Sequence, residues 1–324
     1  MNHPATSSPH DAYLQGIRVN LHQFVWQAVQ VFFVGLVIGM ERTVLPVVAA
    51  RDFGVPKTSF LYLLSFVISF GLVKGALNFV AGRLSERIGR KTVLVLGWVA
   101  AIPIPLLIFF AQSWWWIVAA NLFLGINQGF AWSMTVTRKV DITRVEHRGL
   151  ATGINEFDGY AAFGLAGLAT AWMAQLYGPR VALLGFASDV IALALATALL
   201  FVRENLPWAR AERHCHASGT HTGPRPRVAD GLAEHPTSRQ VFAYVSFGHP
   251  TLSALWQAGV ANKVADTLLW VLLPLYLYGN DLVLVLVAWI TGVYGLSWGL
   301  RSCGPGRCRT ASGASAQWRP GCGC

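Results

Sequence analysis

Residues 82–94 read Gly-Arg-Leu-Ser-Glu-Arg-Ile-Gly-Arg-Lys-Thr-Val-Leu and lie between two long apolar segments. The stretch contains one acid, Glu86, among four cations: Arg83, Arg87, Arg90 and Lys91. Charged side chains at this density are too costly for the hydrocarbon core of a bilayer, while Gly82 and Gly89 permit a tight reversal of the chain. The stretch therefore predicts a basic loop between two membrane helices, on the cytoplasmic side.

The composition of the whole chain supports a membrane location. Of its 324 residues, 54% are hydrophobic and only 12% are charged, against about 25% charged residues in a typical soluble domain. The chain also has 13 tryptophans, whose indole rings favour the membrane–water interface. We therefore interpret the formal net charge of +10 as charge that orients membrane helices, and nucleic acid is not an expected partner.

The residues of the basic loop also match a family pattern. The major facilitator superfamily carries Gly-x-Leu-x-Asp-Arg-x-Gly-Arg-Lys/Arg between its second and third transmembrane helices, and residues 82–91 resemble it closely. The matching positions are Gly82, Leu84, Arg87, Gly89, Arg90 and Lys91. Glu86 stands where aspartate is usual. An ordinary basic cytoplasmic loop is the alternative, although such a loop needs no fixed glycines.

This resemblance implies a gating role for the loop. In the superfamily the acid, here Glu86, and a basic partner, here Arg87 or Arg90, hold the two halves of the transporter closed on the cytoplasmic side. The gating positions are Gly82, Glu86, Arg87, Gly89, Arg90 and Lys91. The fold implied is an all-α membrane bundle: a six-helix N-terminal half, built from inverted three-helix repeats, and about two helices of the C-terminal half.

Apolar runs that are long enough for a membrane helix, about 20 residues, predict eight spans. They cover residues 24–50, 60–81, 92–110, 117–136, 150–176, 181–202, 252–278 and 282–300. The predicted domains are a cytoplasmic tail (1–22), a six-helix bundle (23–202), a cytoplasmic central loop (203–250), the first two helices of a second bundle (251–300) and an aberrant Gly/Cys/Arg-rich tail (301–324).

Positive charge predicts the orientation of these spans. Of the 25 Lys and Arg residues, 19 fall on the amino-terminal side of the membrane. The other six are Arg51, Lys57 and Arg180 in outer loops, and Arg42, Lys74 and Lys263 within spans. By the positive-inside rule both termini are expected in the cytoplasm, in a multi-pass protein of a bacterial inner membrane.

After Leu300 the sequence loses its apolar pattern. Residues 301–324 are rich in Gly, Arg, Cys, Ala, Ser and Pro, where the superfamily would repeat the signature loop and add four more spans. We interpret this run as the product of a frameshift near codon 300, after the eighth span. The alternatives are a genuine disordered tail and a metal-binding tail with Cys303, Cys308, Cys322 and Cys324 as ligands.

Ionisable residues inside the spans form the candidate site, because each costs at least about 2.5–3.5 kcal/mol to insert and usually faces a cavity or a partner. The candidates for the substrate and proton pathway are Glu41, Arg42, Lys74, Asn127, Glu156, Asp158, Asp189, Lys263 and Asp266. A carboxylate that faces a cavity would exchange a proton and couple transport to the proton gradient. The alternative role is charge pairing that fixes helix rotation. Lys263 and Asp266 are three residues apart and are expected to pair.

Polar and catalytic motifs add little to this site. Asn121, Asn127 and Gln128 would line a pathway or form hydrogen bonds between helices. The sequence has no H-E-x-x-H, no Gly-Lys-Ser/Thr phosphate loop and no G-x-S-x-G elbow, so neither an enzyme nor a cofactor is expected. His214, Cys215, His216 and His221 are possible metal ligands, but a solvated linker with incidental histidines is favoured and no metal site is predicted.

The sequence thus predicts secondary active transport of a small molecule or ion by alternating access around a midplane site. Proton-coupled export, as an antiporter, is the favoured mode. One alternative is a truncated product without transport activity, since the site should lie between two halves of the molecule. Another is a small helical membrane protein that acts as a sensor or partner through its histidine-containing loop.

Overall fold

A computed structural model describes residues 13–56, 59–217, 237–280 and 282–311. The prediction of an all-α fold is confirmed for this part of the chain, which forms helices joined by turns and contains no strand. The chain divides into two units, Met1–Ala211 with Pro274–Cys324, and Glu212–Leu273. The first unit contains most of the predicted site residues.

Helix α1 (Leu21–Phe53) is the central helix of the first unit. It packs against α5 (Trp114–Asp141), α6 (Arg148–Tyr177) and α7 (Pro179–Leu200), which bury most of its length. Its 33 residues exceed the roughly 20 that cross a bilayer. The helix ends at Gly54, whose left-handed backbone (φ 61°) glycine adopts without steric cost.

Helices α1 and α6 touch backbone to backbone. A Cβ atom on Gly35 would collide with the carbonyl oxygen of Gly159, and one on Gly39 would collide with the carbonyl oxygen of Phe163. From Gly35 to Gly39 in α1, the contacted residue changes from Gly159 to Phe163 in α6. The residue numbers increase in the same direction in both helices, so the two helices are parallel. Small residues four positions apart permit this close approach between membrane helices. We term this contact the α1–α6 seam.

Helices α2 (Phe60–Ile88) and α3 (Arg90–Ala101) meet at a single residue, Gly89, which has φ 96°. The prediction that Gly82 shares in the reversal is wrong, because Gly82 lies inside α2, well before its end. Helix α2 continues past the end of the predicted apolar span at residue 81, because residues 83–88 include neither glycine nor proline and so do not break a helix. One glycine in an unusual backbone conformation is therefore enough to turn the chain.

Proline divides the third predicted span. Helix α4 (Pro103–Phe109) follows α3 after Ile102, because Pro103 has no N–H group to continue the hydrogen bonding of the helix. Helix α5 then runs to Asp141, and a 3₁₀ turn at Val145–His147 leads into α6. The turn into α7 is made by Gly178, with φ 85°.

The helix ends gather on two sides of the first unit. The signature side contains the start of α1, the α2–α3 turn, the α5–α6 connection and the end of α7. On the opposite side, Arg180 forms an ion pair with Asp52 at 2.6 Å and donates to the carbonyl groups of Phe109 and Ala111. The long helical segments therefore alternate in direction, with α3 and α4 together forming one of them.

The predicted central loop, residues 203–250, contains helix near both of its ends, and its role as the cytoplasmic connection between two halves stays a prediction. Helix α8 (Leu206–Ala217) forms near its start and helix α9 (Ser238–Ala243), which begins with a capping box, forms near its end. Both segments are hydrophilic, but alanine, glutamate, glutamine and arginine favour helix as well as solvent. Residues 218–236, including His221, lie outside the described residues.

The second unit is built around helix α10 (Pro250–Thr267). The His249 side chain accepts the N–H of Leu252 and caps its start. A π-helical turn at Leu268–Leu272 follows, and the chain continues as α11 (Leu273–Gly279). The widened turn comes just before a proline, whose missing N–H group disturbs the regular hydrogen bonding of an α-helix.

Helix α12 (Leu284–Ala311) belongs to the first unit and packs against α6. Gly292 lies against Gly164, and Gly299 lies against Phe157. The prediction that regular structure stops at Leu300 is wrong, because the helix continues to Ala311. An established helix propagates through residues that would not start one. Cys322 and Cys324 lie outside the described residues.

Helices of membrane-spanning length and apolarity recur along the described residues. Five meet both criteria: Leu21–Phe53, Leu64–Ile88, Arg90–Phe109, Pro179–Leu200 and Leu284–Arg301. Helices α5 and α6, with 28 and 30 residues, are equally long and pack among them but carry more polar side chains. The count of eight spans stays a prediction.

Candidate functional site

The central helix of the first unit carries a buried carboxylate. Glu41 of α1 is fully buried, and one carboxylate oxygen accepts a hydrogen bond from the Asn121 side chain of α5 at 2.8 Å. The other oxygen accepts no hydrogen bond from the described residues. A carboxylate oxygen in this situation can carry a proton or accept a hydrogen bond from a ligand.

Arg42 follows Glu41 and reaches towards α2. Its guanidinium carbon lies 5.2 Å from the ring centre of Phe66 and 4.9 Å from that of Phe70, within the roughly 6 Å over which cation–π attraction acts. The backbones of α1 and α2 make almost no close approach to one another. The arginine side chain therefore occupies the space between these two helices, where it is 3% exposed.

Lys74 of α2 lies against the same aromatic ring. Its Nζ atom is 5.5 Å from the ring centre of Phe70 and 5.1 Å from that of Trp132 on α5. The two cationic groups that share Phe70 are thus no more than about 10 Å apart. We term this group of side chains the α1–α2–α5 cluster: Glu41, Arg42, Phe66, Phe70, Lys74, Asn121 and Trp132.

Two further amides on α5 join helices together. The buried side chain of Asn127 donates to the Gly97 carbonyl of α3, and that of Gln128 donates to the Val34 carbonyl of α1, each at 3.0 Å. These contacts agree with hydrogen bonding between helices. A pathway role for Asn127 stays a prediction.

The signature residues separate into a buried and an exposed group. Arg90 is buried and forms an ion pair with Asp141 of α5 at 2.5 Å, while Glu86 is half-exposed and lies 3.9 Å from Arg90. Gly82 and Arg87 are exposed. Asp141 is therefore the close partner of the signature arginine, and the sequence analysis did not single it out.

Glu204, which no sequence motif singles out, joins two helix starts. Its carboxylate accepts the backbone N–H groups of Arg90 and Lys91 in α3, at 3.0 and 2.9 Å, and that of Leu206 in α8 at 2.9 Å. Helix dipoles favour a negative charge at this position. Burial alone would raise the pKa of Glu204, but these N–H groups and the charge of Arg138 together hold it below its usual value.

Other contacts fasten the same region. Lys91 Nζ donates to the Leu199 carbonyl at 2.8 Å, the buried Arg138 guanidinium donates to the Arg203 carbonyl, and the Asn205 side chain donates to the Arg138 carbonyl at 3.0 Å. We term the whole set the signature-side latch. It consists of Arg90, Lys91, Arg138, Asp141, Glu204 and Asn205.

The acids of α6 have charged partners outside the α1–α2–α5 cluster. Asp158 is paired with the buried Lys139 of α5, with 3.4 Å between Nζ and the carboxylate oxygen. The Lys139 ammonium also lies 5.5 Å from the ring centre of Phe24. Glu156 is half-buried on the same helix. Asp158 therefore contributes to an ion pair between α5 and α6.

Three predicted site residues lie elsewhere. Asp189 is exposed near the middle of α7, so the structure does not bring it into the cluster. In the second unit, Lys263 and Asp266 form the expected pair at 3.1 Å. The aspartate is buried and the lysine side chain is mostly exposed.

The helical bundle, the signature turn and the buried charges together define a class of membrane protein. Residues 28–306 match the family described as the Major Facilitator Superfamily. The chain belongs to this superfamily and is a multi-pass integral membrane protein with an all-α fold. The resemblance carried by residues 82–91 is thereby confirmed. The family match continues to residue 306, a few residues beyond Leu300, where the last apolar span was predicted to end.

One curated relative is named for a solute. The chain is similar to the "Probable 4-methylmuconolactone transporter" of Cupriavidus pinatubonensis, with 30% identity over 177 residues. The aligned region covers 49% of this chain and 40% of that protein. The chain thus matches less than half of the length of this relative.

Proposed function

We propose that this chain transports a small solute across the membrane by alternating access and is not an enzyme. The observation that carries the proposal is the α1–α2–α5 cluster, which places charged groups inside apolar helices, where each costs at least about 2.5–3.5 kcal/mol. Such groups are expected where a solute or coupling ion binds. The relative named as a transporter supports the same class.

Glu41 is the proposed proton-coupling group. It is buried, one of its oxygens is held by Asn121, and Arg42 lies beside it as a counter-charge to the ionised form. Protonation would weaken its attraction to Arg42, and deprotonation would restore it. Exchange of a proton on one side of the membrane for a solute on the other gives the antiport that we favour.

The signature-side latch is the proposed cytoplasmic gate. Arg90 and Glu204 tie the start of α3 to α5 and to the segment after α7, so these contacts would have to loosen when the bundle opens on that side. Glu86 and Arg87 are exposed signature residues outside this latch, and in our proposal they contact the second half of the molecule. We assign residues 23–202 to the first half and residues 251–300 to the start of the second.

The test is flux into vesicles. The purified chain is reconstituted into liposomes with an imposed pH gradient, and flux of 4-methylmuconolactone is measured beside a panel of small acids, amines and neutral compounds. We expect gradient-driven flux of at least one compound. Glu41→Gln should abolish the response to the pH gradient, because the amide cannot exchange a proton.

The matched control is Glu146→Gln, which changes an exposed carboxylate on the signature side. It should retain gradient-driven flux. If the folded wild-type chain moves no compound of the panel above the rate in protein-free vesicles, the transport proposal fails and the alternative of a product without transport activity becomes the better description.

A further inference from the structure

Hydrogen bonds fix the register of α1 and α5 around the buried Glu41. Asn121 of α5 donates to Glu41, and Gln128 of α5 donates to the carbonyl group of Val34. Seven residues forward along α5 thus correspond to seven residues back along α1, which is two turns of each helix in a coiled pair. The interface between these two helices therefore continues from Glu41 towards both sides of the membrane.

The same register predicts which side chains meet closer to the signature side. One further step of seven residues places Gln27 of α1 opposite Thr135 of α5. Phe24 and Lys139 follow three and four residues beyond this pair, and the lysine ammonium lies 5.5 Å from the centre of the phenylalanine ring. The register therefore holds to the signature-side end of the interface.

Polar side chains follow one another from Glu41 to this end. They are buried and uncharged, and we term them the polar row: Asn121, Gln128, Gln27 and Thr135. The side-chain oxygens of Asn121 and Gln128 and both polar atoms of the Gln27 amide form no hydrogen bond with the described residues. Because a buried polar group without a partner is costly, these atoms favour a state in which water binds them.

The interface on the other side of Glu41 is apolar. The same register pairs Leu45 with Ile117 and Val48 with Trp114, and all four side chains are at most 1% exposed. The indole N–H of Trp114 is bonded to α2 instead. Water between α1 and α5 therefore finds hydrogen-bonding side chains on the signature side of Glu41 and not at these two pairs.

We infer that Glu41 exchanges its proton with the signature side through a chain of water molecules held by the polar row. This inference rests on the proposed proton-coupling role of Glu41 and names the route and the side. Steps of seven residues are about 10 Å long, at about 1.5 Å per residue, so water must connect the amides. A water molecule takes the carboxyl proton and passes one of its own onward. One O–H bond forms as another breaks, and the carboxylate is left ionised.

Motion of α5 opens this route. The atoms of the polar row that have no partner among the described residues are shielded from solvent in this conformation. Helix α1 packs less closely on α5 than on α6, so α5 can withdraw while the α1–α6 seam stays intact. Proton exchange is therefore confined to the part of the transport cycle in which α5 has withdrawn.

Hydrogen–deuterium exchange at Glu41 tests the route without transport. The purified chain is transferred to D2O at a pH at which Glu41 is protonated, and infrared spectroscopy follows the carboxyl C=O stretch, with Glu41→Gln to assign the band. Gln27→Leu should slow the exchange at least about tenfold, because proton relay depends on the bound water. Its unfolding temperature should equal or exceed that of the wild type, because a costly buried amide is removed.

Gln30→Leu is the matched control. Gln30 is a buried glutamine on another face of α1, where its amide bonds to Trp98 and Thr197. This variant should lower the unfolding temperature and leave the exchange rate at Glu41 unchanged. Unchanged exchange in folded Gln27→Leu, or equal slowing in both variants, overturns the inference.

Cysteine accessibility tests the side of the route. In a purified chain without native cysteines, Gln27→Cys and Val48→Cys are treated with a small water-soluble thiosulfonate, which attacks the thiolate that forms in water. Gln27→Cys should react at least about tenfold faster, because the polar row admits water. Equal rates, or faster reaction of Val48→Cys, contradict the proposed side.

The route and the transport function fail separately. Slower exchange in Gln27→Leu without vesicle flux of any solute would support the route and contradict transport. Gradient-driven flux at the wild-type rate in Gln27→Leu would support transport and contradict the route. If Glu41 shows no exchangeable carboxyl proton, both its coupling role and the route are wrong.

Discussion

At the scale of single residues, Glu204 joins parts of the chain that are far apart in sequence. Its carboxylate accepts N–H groups from Arg90 and Lys91, which precede it by 114 and 113 positions, and from Asn205 and Leu206 immediately after it. It therefore caps α3 and α8 with one negative charge. Loss of that charge should loosen both helix starts together.

We predict that Glu204→Gln lowers the apparent unfolding temperature of the detergent-solubilised chain by about 1–2 °C, since a loss of about 1 kcal/mol is divided by an unfolding entropy of about 2.1 cal/mol/K per residue. The expected destabilisation is small because the Glu204 side chain is half-exposed and solvent screens its interactions. Scanning fluorimetry at neutral pH measures the shift. Glu146→Gln, which removes an exposed acid, should change the apparent unfolding temperature little.

The pH dependence of this stability follows from the lowered pKa. The folded state binds the Glu204 proton more weakly than the unfolded chain does. Its stabilising contribution is therefore complete above the ordinary carboxyl pKa and is lost as the pH falls through the lowered folded value. Glu204→Gln should flatten the acid limb of the unfolding-temperature profile. An unchanged acid limb would contradict the proposed role of this charge.

The residues of the site differ in how far sequence predicts them. Glu41, Arg42 and Lys74 stand out because charge inside an apolar run is conspicuous, and the structure places them together. Glu204 has no such signal, because its partners are backbone N–H groups that any residue supplies. Asp189 is conspicuous in sequence, yet helix rotation exposes it, and rotation follows from packing that no local pattern encodes.

At the scale of helices, the α1–α6 seam is the most constrained contact. We predict that Gly35→Ala destabilises the chain by at least about 1–3 kcal/mol, the usual cost of overpacking, because its new Cβ atom would collide with the carbonyl oxygen of Gly159. The yield of folded protein after detergent extraction and the apparent unfolding temperature measure this loss.

The control is the same substitution at Gly185 of α7, where a Cβ atom meets nothing within 4 Å. Gly185→Ala should be neutral or stabilising by up to about 1 kcal/mol, because alanine favours helix over glycine. Equal unfolding temperatures for the two variants would contradict a backbone contact between α1 and α6 at Gly35.

The ends of the helices were harder to predict from sequence than their positions. The apolar run of the second span ends near residue 81, but α2 continues to Ile88. Likewise α12 continues beyond Leu300 to Ala311. Hydrophobicity marks the part of a helix that lies in the membrane, whereas the helix itself stops only where the backbone is forced to turn, as at Gly89. The turn was predicted and the extent was not.

At the scale of the whole molecule, alternation of the helices fixes which loops share a side. We predict that the signature side is cytoplasmic, because it carries most of the positive charge. In a background without the native cysteines, Glu146→Cys should react with a membrane-impermeant maleimide only in inverted vesicles. Gln112→Cys, at the other side, should react in intact cells. The reverse pattern would contradict the proposed orientation.

The α1–α6 seam also limits how the bundle can move. Because two backbones are in contact at Gly35 and Gly39, neither helix can roll about its own axis without a collision. We therefore expect α1 and α6 to move together as one rigid body. Glu41 and Arg42, which lie on α1, would move with it. For the alternating access that we propose, we therefore expect α2 and α5 to move relative to this pair, because the packing between α1 and α2 is loose.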